Sequence, residues 1–182
     1  MRTEEHLVSA HGLIEAQMAV DLLTGVWSRS VILEILKLQL ALSSRSDSPM
    51  ALVIANIDHF RNINATFGLR AGDAVLREVA RRIRGALRPP DSIGRYVADE
   101  FVIVLPGCDA PMAARLAEKF RARVDRRNVY TCEALIPVTV SLGVVTAPSE
   151  KAFNLDTTWR LAAEAVSRAK ANGYNRAEFA TL

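Results

Sequence analysis

The seven residues from Ala51 to Ile57, Ala-Leu-Val-Ile-Ala-Asn-Ile, constrain the fold more than any other stretch of the chain. They contain no Pro or Gly and are rich in branched side chains. Both alternating sets are apolar, so neither face of an extended segment could be left in water. This predicts a central strand of a sheet covered on both sides. An amphipathic helix is predicted from Ala71 to Leu87, with Val75, Leu76, Val79, Ala80 and Ile83 on one face and arginines on the other.

The remaining periodicities extend this pattern. Helices are expected at Ser30 to Leu42, Ala113 to Val124 and Thr157 to Ala171. Pro89 and Pro90 are expected to stop the arginine-bearing helix. Strands are expected at Ser92 to Tyr96 and Phe101 to Leu105, joined by Val97-Ala98-Asp99-Glu100, then at Val138 to Val145 and Ala177 to Phe179. This order reads as an α+β sheet covered by helices. At the N-terminus Leu7, Ile14 and Met18, with His11 between them, recur at helical spacing. Residues 1–20 are therefore read as a helical lead-in, either a short coiled-coil segment or a helix packed on the domain, and residues 21–182 as the domain itself.

Composition excludes several classes. A chain of 182 residues, 50% hydrophobic and 24% charged, can bury one core without disulfides or structural metal. Cys108 and Cys132 lack metal-ligand spacing, which points to a reducing, cytoplasmic setting. The most apolar stretch, Leu135 to Val145, is interrupted by Pro137, Thr139 and Ser141 and is too short to span a bilayer, so no membrane insertion is expected. Much of the net charge of +3 sits at Arg77, Arg81, Arg82, Arg84 and Arg88, either a solvated helix face or an attractor of anions. Aromatic residues are few and do not interleave with the arginines, which argues against nucleic acid.

Four segments share their order and spacing with one family. Asp21-Leu-Leu-Thr-Gly-Val-Trp-Ser-Arg29 opens the set, and Asn56-Ile-Asp-His-Phe-Arg-Asn-Ile-Asn64 continues to Gly72-Asp73. Arg95-Tyr-Val-Ala-Asp-Glu-Phe101 follows, then Val138-Thr-Val-Ser-Leu-Gly143 with Ala169-Lys-Ala-Asn-Gly-Tyr-Asn175. Together they resemble the GGDEF domain of the diguanylate cyclases over roughly Asp21 to Phe179. The resemblance implies a palm-like nucleotidyl cyclase fold, with a central, mostly antiparallel sheet surrounded by helices and a hairpin carrying the signature. In active members two domains each hold one GTP, and the 3′-hydroxyl of each attacks the α-phosphate of the other, giving cyclic di-GMP. Such phosphoryl transfer depends on positioning and on Mg²⁺ held between carboxylates and phosphates.

Measured against that pattern, the chain departs at the reaction centre. The family's metal aspartate falls on Asn56, a neutral amide, so the metal set Asn56, Ile57 and Asp99 is a weakened remnant. The two signature glycines are Val97 and Ala98, which oppose positive φ and close approach by phosphates. Tyr174 replaces an arginine that would neutralise the phosphate tail, leaving Lys170 as the phosphate remnant. Asp99 and Glu100 are thus expected to be remnants of a catalytic site that no longer turns over. Asn64 and Asp73 match the guanine-binding residues, with helix capping as the equally weighted alternative. Arg88-Pro-Pro-Asp91 matches the family's Arg-x-x-Asp inhibitory site for cyclic di-GMP, with Lys119 and Arg115 as auxiliary candidates. Arg88 and Asp91 could instead only end a helix and flank a turn.

The resulting expectation is an inactive cyclase-like module that binds cyclic di-GMP and regulates a protein partner or an appended domain. A homodimer and weak GTP binding are compatible with it. No cofactor is required, and Mg²⁺ enters only with residual GTP binding. The competing expectations are a cyclase with residual activity and a protein-interaction module without nucleotide.

Overall fold

Strand β1, Met50–Ile57, is buried at all eight positions, as its composition demands. The computed structural model describes residues 19–46, 48–132, 134–147 and 154–181. The expected helical lead-in therefore lies outside the described residues except for Ala19 and Val20. Flanking β1 on either side, both antiparallel, are β3 (Glu100–Pro106) and β6 (Val140–Ala147). The sheet is completed by β2 (Ser92–Val97) beside β3 and by β7 (Ala177–Thr181), the one parallel neighbour, beside β6.

The period of two in β1 sorts its side chains between two cores. Met50, Leu52 and Ile54 meet Ile32, Leu36 and Leu40 of α1 (Arg29–Ser46) and Ala162 and Val166 of α5 (Leu155–Ala171). Ala51, Val53, Ala55 and Ile57 face the larger core, which holds Val75, Val79 and Ile83 of α3 (Leu69–Arg84) and Ala117 and Phe120 of α4 (Ala110–Asp125). Gly143 of β6 lets α5 lie close to the sheet, since a Cβ there would stand 2.1 Å from the Ala162 carbonyl oxygen.

Several elements differ from expectation, and α1 runs on to Ser46, past its expected end at Leu42. The helix predicted from Ala71 to Leu87 begins at Leu69 and ends at Arg84, so Gly85 and not the prolines terminates it. A separate helix, α2 (Phe60–Phe67), precedes it across Gly68, whose φ of 81° reverses the chain. The strand expected from Val138 starts at Val140 and runs to Ala147. A two-stranded ribbon of β4 (Val129–Tyr130) and β5 (Leu135–Ile136) was not expected at all, being too short to show a period.

Candidate functional site

The C-terminal end of β1 and the β2–β3 hairpin form one side of the site because Asn56 pairs with Glu100 across the ladder. Val97 pairs with Glu100 in turn, leaving Ala98 and Asp99 as the two-residue connection. Ala98 carries the positive φ, 45°, while Val97 remains strand and is about half exposed. A non-glycine residue there costs on the order of 1 kcal/mol. Arg95 braces the turn, donating from Nε to the Ala98 carbonyl at 2.8 Å and pairing with Asp21 at 3.3 Å. Asp21 also accepts from the backbone and hydroxyl of Thr24, at 2.9 and 2.6 Å. The opening motif and the hairpin are thereby joined into one piece.

Burial pushes the Asp99 carboxyl above its ordinary range; its own backbone amide, Lys170 and a hydrogen bond from the Asn56 side chain partly offset this. Glu100 is raised too, first by burial and then by the Asp99 charge, with Lys170 acting in the opposite direction. Asn56, Asp99, Glu100 and Lys170 are therefore brought together, as the sequence predicted. Asn56 is 8% exposed, and its side chain faces the Asp99 carboxyl. A neutral amide stands beside Asp99 and Glu100 where the family pattern has a further carboxylate, so the set offers one negative charge fewer to a hard cation such as Mg²⁺.

Asp58 has a function that sequence reasoning missed. It is 3% exposed and accepts from Thr139 Oγ1 at 2.7 Å, Ser141 Oγ at 2.6 Å and the Asn175 backbone at 3.0 Å. These bonds tie the end of β1 to β6 and to the loop after α5. The signal was present as two hydroxyls two residues apart, on one face of the segment leading into β6. In that loop Tyr174 and Asn175 have φ of 61° and 47°, and His59, at 55°, packs its ring 4.2 Å from that of Tyr174. An aromatic pair thus stands where the family pattern has an arginine. Arg121 fixes the loop from α4 by donating to Asn175 Oδ1 at 2.9 Å, and Arg176 makes only a long contact, 3.9 Å, with Glu178.

Asn64 and Asp73 lie on the facing helices α2 and α3. Asn64 Oδ1 is buried and accepts no hydrogen bond among the described residues. Gly72 makes its position available, because a Cβ there would stand 1.8 Å away. An orphaned acceptor costs about 1–3 kcal/mol unless something donates to it. Neither residue caps a helix: the residue before α3 is Gly68, and no side chain caps it.

Arg88 and Asp91 are also brought together, at the turn between α3 and β2, at the opposite end of β2 from the hairpin tip. Their geometry is self-contained. Arg88 Nη2 lies 2.7 Å from Asp91 Oδ1, Nε contacts both carboxylate oxygens, and the Arg88 backbone amide donates to Oδ2 at 2.8 Å. The Asp91 side chain has no exposed surface, whereas that of Arg88 is 34% exposed. Arg88 also donates to the Pro106 carbonyl at 3.2 Å. Both residues line a cavity of ≈ 470 Å³ shared with Trp27 and Arg84. Of the auxiliary candidates, Lys119 donates to the Ala86 carbonyl at 3.1 Å. Arg115 shares electrostatic reach of Cys108 with Arg88; burial pushes that thiol up to about 11.

A five-stranded sheet with helices on both faces, and a hairpin presenting two carboxylates at the end of its central strand, defines a cyclase-like palm domain. The family model described as "Diguanylate cyclase, GGDEF domain" matches residues 18–176, and the chain belongs to that family. A probable diguanylate cyclase of Escherichia coli, DgcT, is 34% identical over 173 residues, covering 94% of this chain and 38% of the relative. Diguanylate cyclase DosC of the same species is 30% identical, covering 89% of this chain and 35% of the relative. The chain thus spans well under half the length of these two relatives. Among solved structures, the coiled coil and GGDEF domain of DgcB from Caulobacter crescentus, in complex with cyclic di-GMP, superposes with a TM-score of 0.91 at 26% identity, covering 98% and 94% of the two chains. Diguanylate cyclase SiaD of Pseudomonas aeruginosa, solved with its activator SiaC, gives 0.84 at 29% identity, covering 98% and 69%. No helix among the described residues is long and apolar enough to cross a membrane.

Proposed function

We propose that this chain acts in cyclic di-GMP signalling as a GGDEF domain without cyclase turnover, binding cyclic di-GMP at the Arg88 turn and passing that state to a protein partner. The observation that carries the loss of turnover is the neutral side chain of Asn56, buried at the end of β1 and paired across the ladder with Glu100, where the family pattern has a carboxylate. One negative charge fewer is left to recruit a divalent cation. Val97 and Ala98 add Cβ atoms where phosphates would approach the hairpin, and Tyr174 supplies no cation to a phosphate tail.

At the second site Arg88 offers an accessible guanidinium already held in a fixed orientation. Asp91 serves first as the residue that orients it, and becomes available to a guanine edge only by exchanging Arg88 for the ligand. Such an exchange trades one charge-assisted pairing for another, which keeps its cost low. The solved coiled coil and GGDEF domain of DgcB, in complex with cyclic di-GMP, supports this reading by likeness. Asn64 Oδ1, lacking a donor, supports weak guanine binding in the old substrate cleft, with Asp73 beside it.

A residual cyclase is the second reading, favoured by Asp99, Glu100 and Lys170 remaining assembled and by relatives named as diguanylate cyclases. Chromatography of products after incubation with GTP and Mg²⁺ or Mn²⁺ decides between them. No cyclic di-GMP is expected from the wild type. Steady formation, abolished by Glu100→Gln, would establish the cyclase instead. A calorimetric titration with cyclic di-GMP tests the binding half separately, and absence of saturable heat would leave a nucleotide-free interaction module.

A further inference from the structure

A cavity away from both sites lies between α3, the end of α4 and the β4–β5 ribbon. It encloses ≈ 730 Å³ and is lined by Arg77, Arg81, Arg82, Arg123, Arg126 and Arg127 against the single carboxylate of Glu78. Part of this charge is structural. Arg82, with 9% of its side chain exposed, pairs with Glu78 at 2.8 Å and donates to the carbonyls of Val124, Arg127 and Asn128. It thereby clamps the end of α4 onto α3. Arg81 pairs with Glu78, and Arg123 donates to the Gly85 carbonyl at 2.6 Å. Arg77, Arg126 and Arg127 are exposed, and their side chains have no ion pair or hydrogen bond among the described residues.

The ribbon beside the groove adds a second chemistry. Val129 pairs with Ile136 and both are buried, which anchors the ribbon to the core. Tyr130 pairs with Leu135 on the opposite face, and these are 82% and 59% exposed. Tyr130 also lines the groove, so an apolar shoulder borders the free cations directly. A phosphate chain would use the arginines and gain nothing from Leu135. A peptide carrying both carboxylates and an apolar side chain would use both.

We propose that this groove and shoulder form a docking surface for an acidic segment of a partner protein, with carboxylates facing Arg77, Arg126 and Arg127 and an apolar side chain seated on Tyr130 and Leu135. This surface owes nothing to the nucleotide sites. Its test runs without nucleotide, so its failure is separate from failure of cyclic di-GMP binding.

The probe is a fluorescein-labelled synthetic peptide of Asp-Glu pairs interrupted by leucines, read by anisotropy against the full chain, with a polyglutamate peptide as control. Saturable binding that weakens with added salt is expected. The combined Arg77→Glu, Arg126→Glu and Arg127→Glu variant should weaken it at least about tenfold, since three exposed ion pairs are lost and replaced by repulsion. The Gln triple should give a smaller loss in the same direction, and melting curves should match the wild type because none of the three has a partner to lose. Tyr130→Ser with Leu135→Ser should weaken the leucine peptide at least about threefold and leave polyglutamate unchanged. The proposal is overturned by absence of peptide binding or by binding that ignores both arginine triples. It is also overturned if the serine pair leaves the leucine peptide unaffected. Displacement of the peptide by inorganic triphosphate or a single-stranded oligonucleotide at lower concentration than by unlabelled peptide would reassign the groove to phosphate ligands.

Discussion

Asn56→Asp should convert a domain indifferent to Mg²⁺ into one whose stability depends on it. In the wild type the buried Asn56 amide donates to Asp99, with Glu100 directly opposite on β3. The substitution removes that donor and places a third carboxyl among two whose pKa values burial has already raised. Losing a hydrogen bond to a charged acceptor costs about 1.5–3 kcal/mol. Like-charge repulsion at about 4 Å would add up to ~4 kcal/mol at an effective dielectric of 20, but carboxyls crowded together take up a proton before paying this in full. A net loss of roughly 2–3 kcal/mol is expected.

For a domain of this size each kcal/mol moves Tm by about 2–4 °C, so Asn56→Asp in chelator at neutral pH should melt roughly 5–10 °C below the wild type. Mg²⁺ at a hundred times its Kd returns about 2.7 kcal/mol, enough to restore most of that loss. The wild type should shift by no more than about 1 °C, since it lacks the carboxylate that the substitution adds at the end of β1. Scanning calorimetry of both proteins, in EDTA and in Mg²⁺, is the assay. If the wild type gains as much from Mg²⁺ as the variant, or the variant in EDTA melts with the wild type, the account of Asn56 is wrong.

Cyclic di-GMP binding should weaken at least about tenfold in Arg88→Ala and recover in part in Arg88→Lys, because a point charge cannot reproduce the paired contacts; unchanged calorimetric affinity in Arg88→Ala would remove the site. Arg88→Ala should also lower Tm without ligand, by leaving buried Asp91 only a backbone amide as donor. Glu78 is held at about 2, chiefly by its hydrogen bond with Arg81, so its folded value lies below the unfolded 4.5. The stability it contributes is present above pH 4.5 and is lost as pH falls towards 2, and acid melts of Glu78→Gln should show a shallower decline over that window than the wild type. Glu100 is raised, so its ionisation opposes folding as pH climbs through its folded value; Glu100→Gln should raise Tm at pH 7 and leave it unchanged at pH 4, which paired melts would check.

Much of this architecture was legible because burial leaves a period in the sequence. β1 could be read from its double-sided apolarity, and its place at the sheet centre followed. Helix α2 escaped because a segment of eight residues containing two Asn shows little beyond Ile63 as a buried anchor, and the chain reversal rests on one residue, Gly68. The ribbon escaped because two residues cannot display alternation. The family motifs name Asn56, Asp99, Glu100 and Lys170, which lie close together in the fold, yet motifs do not report that the Asn56 side chain faces Asp99. Nor does the spacing of Arg88 and Asp91 show that each already satisfies the other, since mutual pairing and joint presentation to a ligand require the same two residues at the same distance.

The positions that changed and those that remain differ in what folding asks of them. Asp58 accepts three hydrogen bonds in a buried setting, so any neutral apolar replacement would orphan Thr139, Ser141 and the Asn175 amide together. Each orphan costs about 1–3 kcal/mol, which is a large share of the stability a domain has in hand. Asp21 and Arg95 likewise brace the hairpin from outside it. Asn56 stands under the opposite demand. Without a bound cation, an aspartate there would destabilise the end of β1, and an amide of the same shape removes the repulsion while adding a donor for Asp99. On the reading proposed above, a domain that binds and signals without turnover would gain stability from that exchange, whereas one that must gather a metal and two phosphates could not make it. The same reasoning applies to Ala98, whose positive φ costs about 1 kcal/mol that glycine would avoid. That strain is held in place by Arg95, whose Nε donates to the Ala98 carbonyl and keeps the turn closed.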